Sequence, residues 1–161
     1  MTTLNFDTIA IREGYQTTAE QEHSEAIFMT SSFVFDSAEQ AAKRFSKKEP
    51  GNIYARFTNP TVGAFERKLA ALEGAQACVA TSSGMAAIFA TLMALLKSGD
   101  HIVASRDIFG TTTIMLNSIV AKFNIDISYV DLSDLSAWES SINNKTKLFL
   151  LETPSNPLGQ V

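Results

Sequence analysis

The stretch ACVATSSGMAAIFATLMALLK (residues 77–97), with HIVAS (101–105) close behind it, decides the fold of this chain. A short apolar strand over 77–81 leads at once into a long apolar helix over 84–97, and a second apolar strand follows. The alternation continues with a helix, a strand, a short capped helix and a strand, over 110–123, 125–131, 133–142 and 147–152. Apolar strands that alternate with helices predict an α/β domain with a mostly parallel sheet and helices on both faces.

The residues before this region have a different character. Residues 1–60 are polar and irregular, and their one clear helix spans about 37–45, where Ser37 and Gln40 form a capping-box pattern. From Thr61 onward the periodicity becomes regular, with a helix that Gly74 ends. A polar, turn-rich stretch is more stable when it packs on another surface. We therefore expect an arm over 1–60 that docks on another subunit, and a regular domain over 61–161.

Composition narrows the functional class. The chain has 161 residues, a net charge of −4 and 45% hydrophobic residues, which suits one globular domain with a core. Acidic side chains (17) outnumber Lys and Arg (13), so no nucleic-acid partner is expected. No stretch approaches the roughly 18 apolar residues of a membrane span. The chain has a single cysteine, Cys78, so it cannot form an internal disulfide. A chain without disulfides is typical of cytoplasmic proteins. His23 and His101 lack partners at metal-ligand spacing, so we expect no metal site.

The segment Thr81-Ser82-Ser83-Gly84-Met85 carries the clearest chemical signal. In open α/β sheets, ligands bind beyond the carboxyl ends of the strands, and this segment follows a predicted strand. Small hydroxyl residues and a glycine allow an anion to approach the backbone, and the start of the next helix offers free N–H groups. The segment therefore predicts a phosphate cradle, while a plain N-cap at Ser83 is an equally good interpretation of the local pattern.

Four other residues could contact a phosphate-bearing ligand. On an extended segment, Tyr54 and Arg56 would project to the same side and could bind a phosphate, or could be a packing Tyr beside a surface Arg. Phe109 precedes a helix and could stack on a flat ring, or simply pack in the core. Asn156 lies between two prolines and could bind a phenolate-type oxygen, or be a turn residue. The dinucleotide and P-loop fingerprints are absent.

Several long segments in the same order resemble the Cys/Met-metabolism family of pyridoxal-phosphate enzymes. They are YARFTNPT, KLAALEGAQACVATSSGMAAI, LLKSGDHIVAS, DLSDLSAW and NNKTKLFLLETPSNPLGQV, which together cover nearly the whole chain. The resemblance implies the aminotransferase-like fold called fold type I, with 61–161 forming the first part of the cofactor-binding domain. It also implies pyridoxal 5'-phosphate as cofactor, a small-molecule substrate, a cytoplasmic location and a homo-oligomer built as a dimer of dimers.

The resemblance also assigns roles to matched positions. The cofactor phosphate would be held by Ser83, Gly84 and Met85. Tyr54 and Arg56 would reach the phosphate in the neighbouring subunit, Phe109 would stack on the pyridine ring, and Asn156 would bond the ring hydroxyl oxygen. The resemblance gives no residue of the chain a metal-binding role.

Phe109 indicates a branch of the family. Many members, lyases especially, have Tyr at this position, and a Phe stacks but cannot exchange a proton. The sulfhydrylase branch is the one that three segments resemble most: MTSSFVFDSAEQAAKRF in the arm, the loop SRDIFGTT and the run DLSDLSAW. Phe109 agrees with this resemblance, which implies replacement of the succinyl group of O-succinyl-L-homoserine by sulfide, giving homocysteine and succinate. Cystathionine γ-synthase, O-acetylhomoserine sulfhydrylase and methionine γ-lyase remain alternatives within the family.

The catalytic lysine of the family has no match among the motifs of this chain. Enzymes of this family need a Lys that forms a Schiff base with the cofactor, and no Lys of the chain stands in the family's Ser-x-Thr-Lys setting. We expect that lysine beyond residue 161 and expect residues 1–161 alone to be inactive. Two other classes stay open: a truncated module that serves only subunit association, and a nucleotide-binding domain of the same layered type.

Overall fold

A computed structural model describes residues 4–161; residues 1–3 of the predicted arm lie outside the described residues. The helices are α1 (Phe6–Arg12), α2 (Ala38–Phe45), α3 (Pro60–Leu72), α4 (Gly84–Leu95), α5 (Gly110–Ser118) and α6 (Leu135–Ser140), with a 3-10 helix at Val120–Phe123. The strands are β1 (His101–Ser105), β2 (Asp126–Val130) and β3 (Thr146–Leu150). The chain forms two compact units, one ending at Ala80 and one spanning Thr81–Val161.

The second unit is built on a three-stranded parallel sheet in the order β2-β1-β3. Every residue of the central strand β1 is buried, as expected for a strand covered on both faces. The core joins β1 to the inner sides of α4, α5 and the 3-10 helix, through Leu92, Ile102, Ala104, Met115, Leu116 and Val120. Burying each large aliphatic side chain contributes about 1.5–3 kcal/mol, so this core accounts for much of the unit's stability. The predicted parallel α/β architecture is confirmed.

The strand predicted over 77–81 is wrong. These residues are not part of the sheet, and no strand within residues 4–161 pairs with them. The backbone N–H of Ala80 instead donates to Oε1 of Glu66 at 2.8 Å, and Val79 is largely exposed. A strand needs a neighbour for its backbone groups, and an apolar run alone does not supply one. Cys78 is consequently half-buried, not part of the core.

The helix predicted over 110–123 is divided. α5 ends at Ser118, and a 3-10 turn follows that closes at Asn124 in the left-handed conformation, with φ of +59°. The run is rich in β-branched and small polar residues, which lower helix propensity, so tertiary packing sets where it ends.

β3 alternates between half-buried and exposed residues, although its sequence after Lys147 is continuously apolar. It lies at an edge of the three-stranded sheet, and its Phe149 side chain contacts Trp138 in an edge-to-face geometry with ring centroids 5.6 Å apart. The continuous apolar character of the strand therefore does not mean that both of its faces are covered.

The first unit contains the helices expected from their caps, and one that was not expected. Ser37 caps α2 by accepting from the N–H of Gln40, as predicted, and α3 begins at Pro60 after the Asn59 cap. α1 was missed, although Phe6, Ile9 and Ala10 have helical spacing. α1 packs on α3, and Arg67 of α3 donates to the Gly14 carbonyl at 2.9 Å.

His101, the first residue of β1, connects the three strands. Its Nδ1 lies 2.8 Å from the Thr146 hydroxyl and its Nε2 lies 2.9 Å from the Ser128 hydroxyl. The ring is 3% exposed and has hydroxyl partners on both sides, so it serves as a structural link. Within residues 4–161, no group of three or more His, Cys, Asp or Glu side chains is placed to hold a metal ion. No helix in the same range is long and apolar enough to cross a membrane.

Candidate functional site

The carboxyl ends of the three parallel strands bring three loops to one edge of the sheet. β1 is followed by residues 106–109, β2 by 131–134 and β3 by 151–157. The Arg106 N–H donates to the Val130 carbonyl at 2.8 Å and continues the β1–β2 pairing into the loops. In sheets of this type the carboxyl edge is where ligands bind, so this edge is the candidate site.

The start of α4 presents free backbone donors. The Ser83 hydroxyl caps the helix by accepting from the Ala86 N–H at 3.1 Å, so the N-cap interpretation is confirmed. The N–H groups of Gly84 and Met85 are the first two of the helix, and nothing in residues 4–161 accepts from them. A Cβ added at Gly84 would meet no atom within 4 Å apart from its chain neighbours and the backbone of its own helix, so the space beside Gly84 is open. The cap therefore leaves room and donors for an anion.

Phe109 stands at the start of α5 and is 43% exposed. Its N–H donates to Oε2 of Glu152 at 3.1 Å, which ties the loop after β3 to this helix start. The Thr112 hydroxyl lies 3.9 Å from the Met85 sulfur and joins the starts of α5 and α4. Two contacts thus bring the start of α4, the start of α5 and the end of β3 together at one edge.

Glu152 holds the backbone of Phe109 in place. A carboxylate at a strand end is as often a solvated edge group as an orienting one, and here it is half-buried and bonded to Phe109. Thr112 was missed altogether. The sequence could have indicated Thr112 through its position. It lies in the first turn of a helix that follows a strand, where its hydroxyl can face the start of the neighbouring helix.

Asn156 lies in a closed turn after β3. The buried Ser155 holds this turn: its N–H donates to the Gln160 carbonyl at 2.7 Å, and its Oγ accepts from the Gln160 N–H at 3.0 Å. The Asn156 side chain is exposed, and its amide bonds to no residue in the described chain. The amide is therefore free to bond a ligand.

Tyr54 and Arg56 come together in a way that the sequence did not predict. The segment is a turn, not an extended strand, because the Tyr54 carbonyl accepts from the N–H groups of Phe57 at 2.8 Å and Thr58 at 3.0 Å. The turn places the Arg56 guanidinium carbon 4.9 Å from the centre of the Tyr54 ring. Tyr54 and Arg56 therefore lie on one turn of the first unit. No carboxylate in residues 4–161 forms an ion pair with Arg56.

Two carboxylates give the loop after β2 a stable negative charge. Hydrogen bonds from the Ser133 hydroxyl and N–H lower the pKa of Asp131 below its ordinary value of 3.8. The Ser136 hydroxyl and the Ala137 N–H do the same for the pKa of Asp134, which caps α6. Hydrogen bonds that favour the charged form keep both groups ionised at neutral pH.

Residues 7–161 match the profile of the Cys/Met metabolism PLP-dependent enzyme family. The chain belongs to this family. The family resemblance and the aminotransferase-like α/β fold predicted from the sequence are thereby confirmed, and pyridoxal phosphate (PLP) is the family's cofactor.

Three similar proteins illustrate the family's range. An O-succinylhomoserine sulfhydrylase of Pseudomonas aeruginosa is 52% identical over 97% of this chain and 39% of its own length. An L-methionine gamma-lyase of Fusobacterium nucleatum subsp. polymorphum is 45% identical over 81% of this chain and 33% of its own length. A solved structure from Campylobacter jejuni, described as an O-acetylhomoserine (thiol)-lyase with N'-pyridoxyl-lysine-5'-monophosphate, is 34% identical with a TM-score of 0.89 over 96% of this chain and 38% of that one. The chain spans 33% to 39% of the length of these three relatives.

The residues at the carboxyl edge suit the family's cofactor. Its dianionic phosphate needs N–H donors, which Gly84 and Met85 offer at an open helix start. Its flat ring needs an exposed aromatic face, which Phe109 offers. Its phenolic oxygen needs a donor, which the free Asn156 amide offers. The donor set therefore fits the group.

Proposed function

We propose that the enzyme to which this chain belongs replaces the succinyl group of O-succinyl-L-homoserine with sulfide, giving homocysteine and succinate for methionine biosynthesis. The observation that carries the proposal is the 52% identity to an O-succinylhomoserine sulfhydrylase over nearly the whole chain. Phe109 supports it, because its ring lacks the hydroxyl that many lyases of the family have at this position. A cytoplasmic location belongs to the same proposal and suits a chain with one cysteine.

The start of α4 would bind the cofactor phosphate. The N–H groups of Gly84 and Met85 point out of the helix end, where the helix dipole favours negative charge. The Ser83 backbone is extended, with φ of −165°, and its hydroxyl is held by the cap bond, so the segment is already ordered before a ligand arrives. A preformed cradle needs little reorganisation on binding.

Phe109 and Asn156 would orient the ring. PLP, when bound, supplies an electron sink for carbon–hydrogen and carbon–heteroatom bond cleavage. The Phe109 ring would stack on its face, with the backbone fixed by Glu152, and the Asn156 amide would donate to its ring oxygen. Because neither side chain can accept a proton, proton transfers to the substrate must be made by another group of the enzyme.

Tyr54 and Arg56 would serve the phosphate of a second subunit. Arg56 carries a charge that no described carboxylate neutralises, and the stacked Tyr54 ring restricts its conformations. This assigns residues 1–60 a docking role in a homo-oligomer, with a dimer of dimers as the expected assembly. Residues 61–161 would then form the first part of the cofactor domain.

The Schiff-base lysine would come from outside these 161 residues. The second unit has four lysines, and each precedes or begins a strand, at the amino edge of the sheet: Lys97, Lys122, Lys145 and Lys147. The candidate site lies at the opposite, carboxyl edge. A strand of five residues spans about 17 Å, so none of these amines is suited to the site.

Peptide mapping tests the position of that lysine. The cofactor-loaded, full-length protein is reduced with borohydride, which makes the lysine linkage permanent, and the pyridoxyl-labelled peptide is then identified by mass spectrometry. We expect the label on a lysine outside residues 1–161. A dominant label on any lysine of this chain would contradict the assignment.

Product assays test the proposed reaction against the other members of the family. Full-length enzyme is offered O-succinyl- or O-acetyl-L-homoserine with sulfide or cysteine, and methionine alone. We expect the highest kcat/KM for the succinyl ester with sulfide. Methionine cleavage as the fastest reaction would favour the lyase, for which the 45% identity is the supporting observation. Preference for cysteine or for the acetyl ester would likewise overturn the proposal.

The variant Phe109→Tyr tests whether Phe109 favours replacement over elimination. It keeps the stacking ring and adds only a hydroxyl, so cofactor binding should change little. We expect the ratio of elimination to replacement products to rise, because the phenol can exchange a proton near the leaving group. An unchanged ratio would mean that the residue at position 109 does not distinguish a sulfhydrylase from a lyase.

A further inference from the structure

Helix α5 begins without a side-chain cap of its own. Four other helices have such a cap, from Ser37, Asn59, Ser83 and Asp134. The N-cap position of α5 is Phe109, whose side chain has no oxygen that could accept from a backbone N–H. An acceptor for the start of α5 therefore has to come from another element.

The carboxylate of Glu152 is that acceptor, 43 residues further along the chain. Its Oε2 accepts from the Phe109 N–H at 3.1 Å. In a capping box, a Glu or Gln at the third helical position makes this bond to the N–H of the N-cap residue. Thr112 occupies that position in α5, and its hydroxyl lies 3.9 Å from the Met85 sulfur instead. Glu152 thus completes, from the loop after β3, a capping arrangement that α5 does not form by itself.

Glu152 also lies close in sequence to Asn156, the second side chain assigned to the cofactor ring. Glu152 is half-buried, two residues after the end of β3 and four residues before Asn156. The turn that carries Asn156 is closed by the bonds between Ser155 and Gln160. Asn156 therefore belongs to a short loop that is held in two places, at Glu152 and at the Ser155–Gln160 bonds.

We propose that Glu152 is the positioning residue that aligns the two side chains assigned to the cofactor ring. Its carboxylate fixes the start of α5 at Phe109 and, through the same bond, the loop that carries Asn156. The inference rests on the proposed function for the roles of Phe109 and Asn156, and it holds whichever ester and sulfur donor the enzyme uses. Glu152 acts through these two residues and not on the substrate itself.

Substitution separates the hydrogen bond of Glu152 from its charge. Glu152→Gln keeps an oxygen at the same distance from the backbone and removes the charge. Glu152→Asp keeps the charge but is shorter by a methylene group, so its carboxylate falls short of the Phe109 N–H. Because the proposal assigns the effect to the hydrogen bond, Gln should replace Glu well and Asp should not.

Cofactor binding by the full-length protein measures the positioning. Pyridoxal phosphate is titrated into each variant, and visible circular dichroism of the bound cofactor reports how firmly its ring is oriented. We expect Glu152→Asp and Glu152→Ala to weaken binding by about tenfold and to reduce the signal per bound cofactor. We expect Glu152→Gln to stay within about twofold of wild type in both measurements.

Glu139→Ala is the matched control, because it removes an exposed glutamate from α6 of the same unit. It should leave both measurements unchanged. The proposal would be overturned if Glu152→Asp behaved like this control, or if Glu152→Gln lost as much affinity as Glu152→Asp. These two comparisons decide the question even where Glu152→Ala does not fold.

A double-mutant cycle tests the alignment of Asn156. The cost of Asn156→Ala in cofactor affinity is measured in wild type and in the Glu152→Asp background. We expect the cost to be smaller by about threefold in that background, because an amide that is already displaced has less to lose. Ser83→Asp acts at the phosphate end of the cofactor, and its cost should be equal in both backgrounds. An equal cost of Asn156→Ala in both, or the same reduction for Ser83→Asp, would contradict the alignment.

The positioning and the proposed reaction fail separately. The affinity and ring-orientation measurements need no substrate, so they do not depend on the product assays. An enzyme that prefers the acetyl ester or cysteine but shows the contrast between Gln and Asp at position 152 would overturn the reaction and support the positioning. A sulfhydrylase without that contrast would overturn the positioning alone.

Discussion

Ser83 has two separable roles, one in folding and one in the proposed cofactor site. Its hydroxyl accepts from the Ala86 N–H, so Ser83→Ala should destabilise the protein by about 1 kcal/mol through loss of the cap. Ser83→Asp should keep the cap and the stability, but its carboxylate would repel the phosphate and weaken PLP binding by about tenfold. Urea unfolding and cofactor titration of the full-length protein measure the two effects. Equal cofactor affinity in wild type and Ser83→Asp would place the phosphate elsewhere.

Asp134 makes part of the stability depend on pH. Hydrogen bonds from Ser136 and Ala137 lower its pKa in the folded state below the unfolded value of 3.8. Its contribution is therefore complete above about pH 3.8 and is lost as the pH falls through the lower, folded value. Asp134→Asn keeps an N-cap that does not titrate. The stability of wild type relative to this variant should fall in acid, and a difference that stays constant with pH would contradict the cap geometry.

At the scale of elements, α5 carries the core of the second unit. Leu116 is fully buried against β1 and the neighbouring helices, and Ile114 on the same helix is 64% exposed. Leu116→Ala should therefore cost about 2–5 kcal/mol, and Ile114→Ala should change the stability by less than about 0.5 kcal/mol. Chemical unfolding of the two variants makes the comparison. Similar losses in both would mean that α5 presents a different face to the sheet.

Elements with local signals could be predicted from the sequence. The cap at Ser37 and the Pro60 start of α3 are decided within a few residues, and β1 is apolar at every interior position. Local signals were not enough at residues 77–81. Whether an apolar run forms a strand depends on a partner strand, and no local pattern reveals that partner. The Tyr54 turn was mistaken for an extended segment since its two hydrogen bonds to the backbone have no distinctive residue types.

For the whole molecule, the parallel topology was what made the candidate site predictable. Once the strands are parallel, the loops at Phe109 and Asn156 must share an edge, and the sequence order alone implies this. The contacts that bring the edge together, from Glu152 to Phe109 and from Thr112 to Met85, depend on side-chain positions that only the folded structure shows. The acyl group of the substrate leaves no signature in these loops, so the reaction rests on the family relatives.

A crystal structure of the full-length protein with pyridoxal phosphate tests the central claim most directly. We predict that the phosphate lies within hydrogen-bond distance of the Gly84 and Met85 N–H groups, with Tyr54 and Arg56 of a second copy on its other side. The Phe109 ring should stack on the pyridine ring. A phosphate bound away from the start of α4, or one reached by no residue of a second copy, would contradict the account.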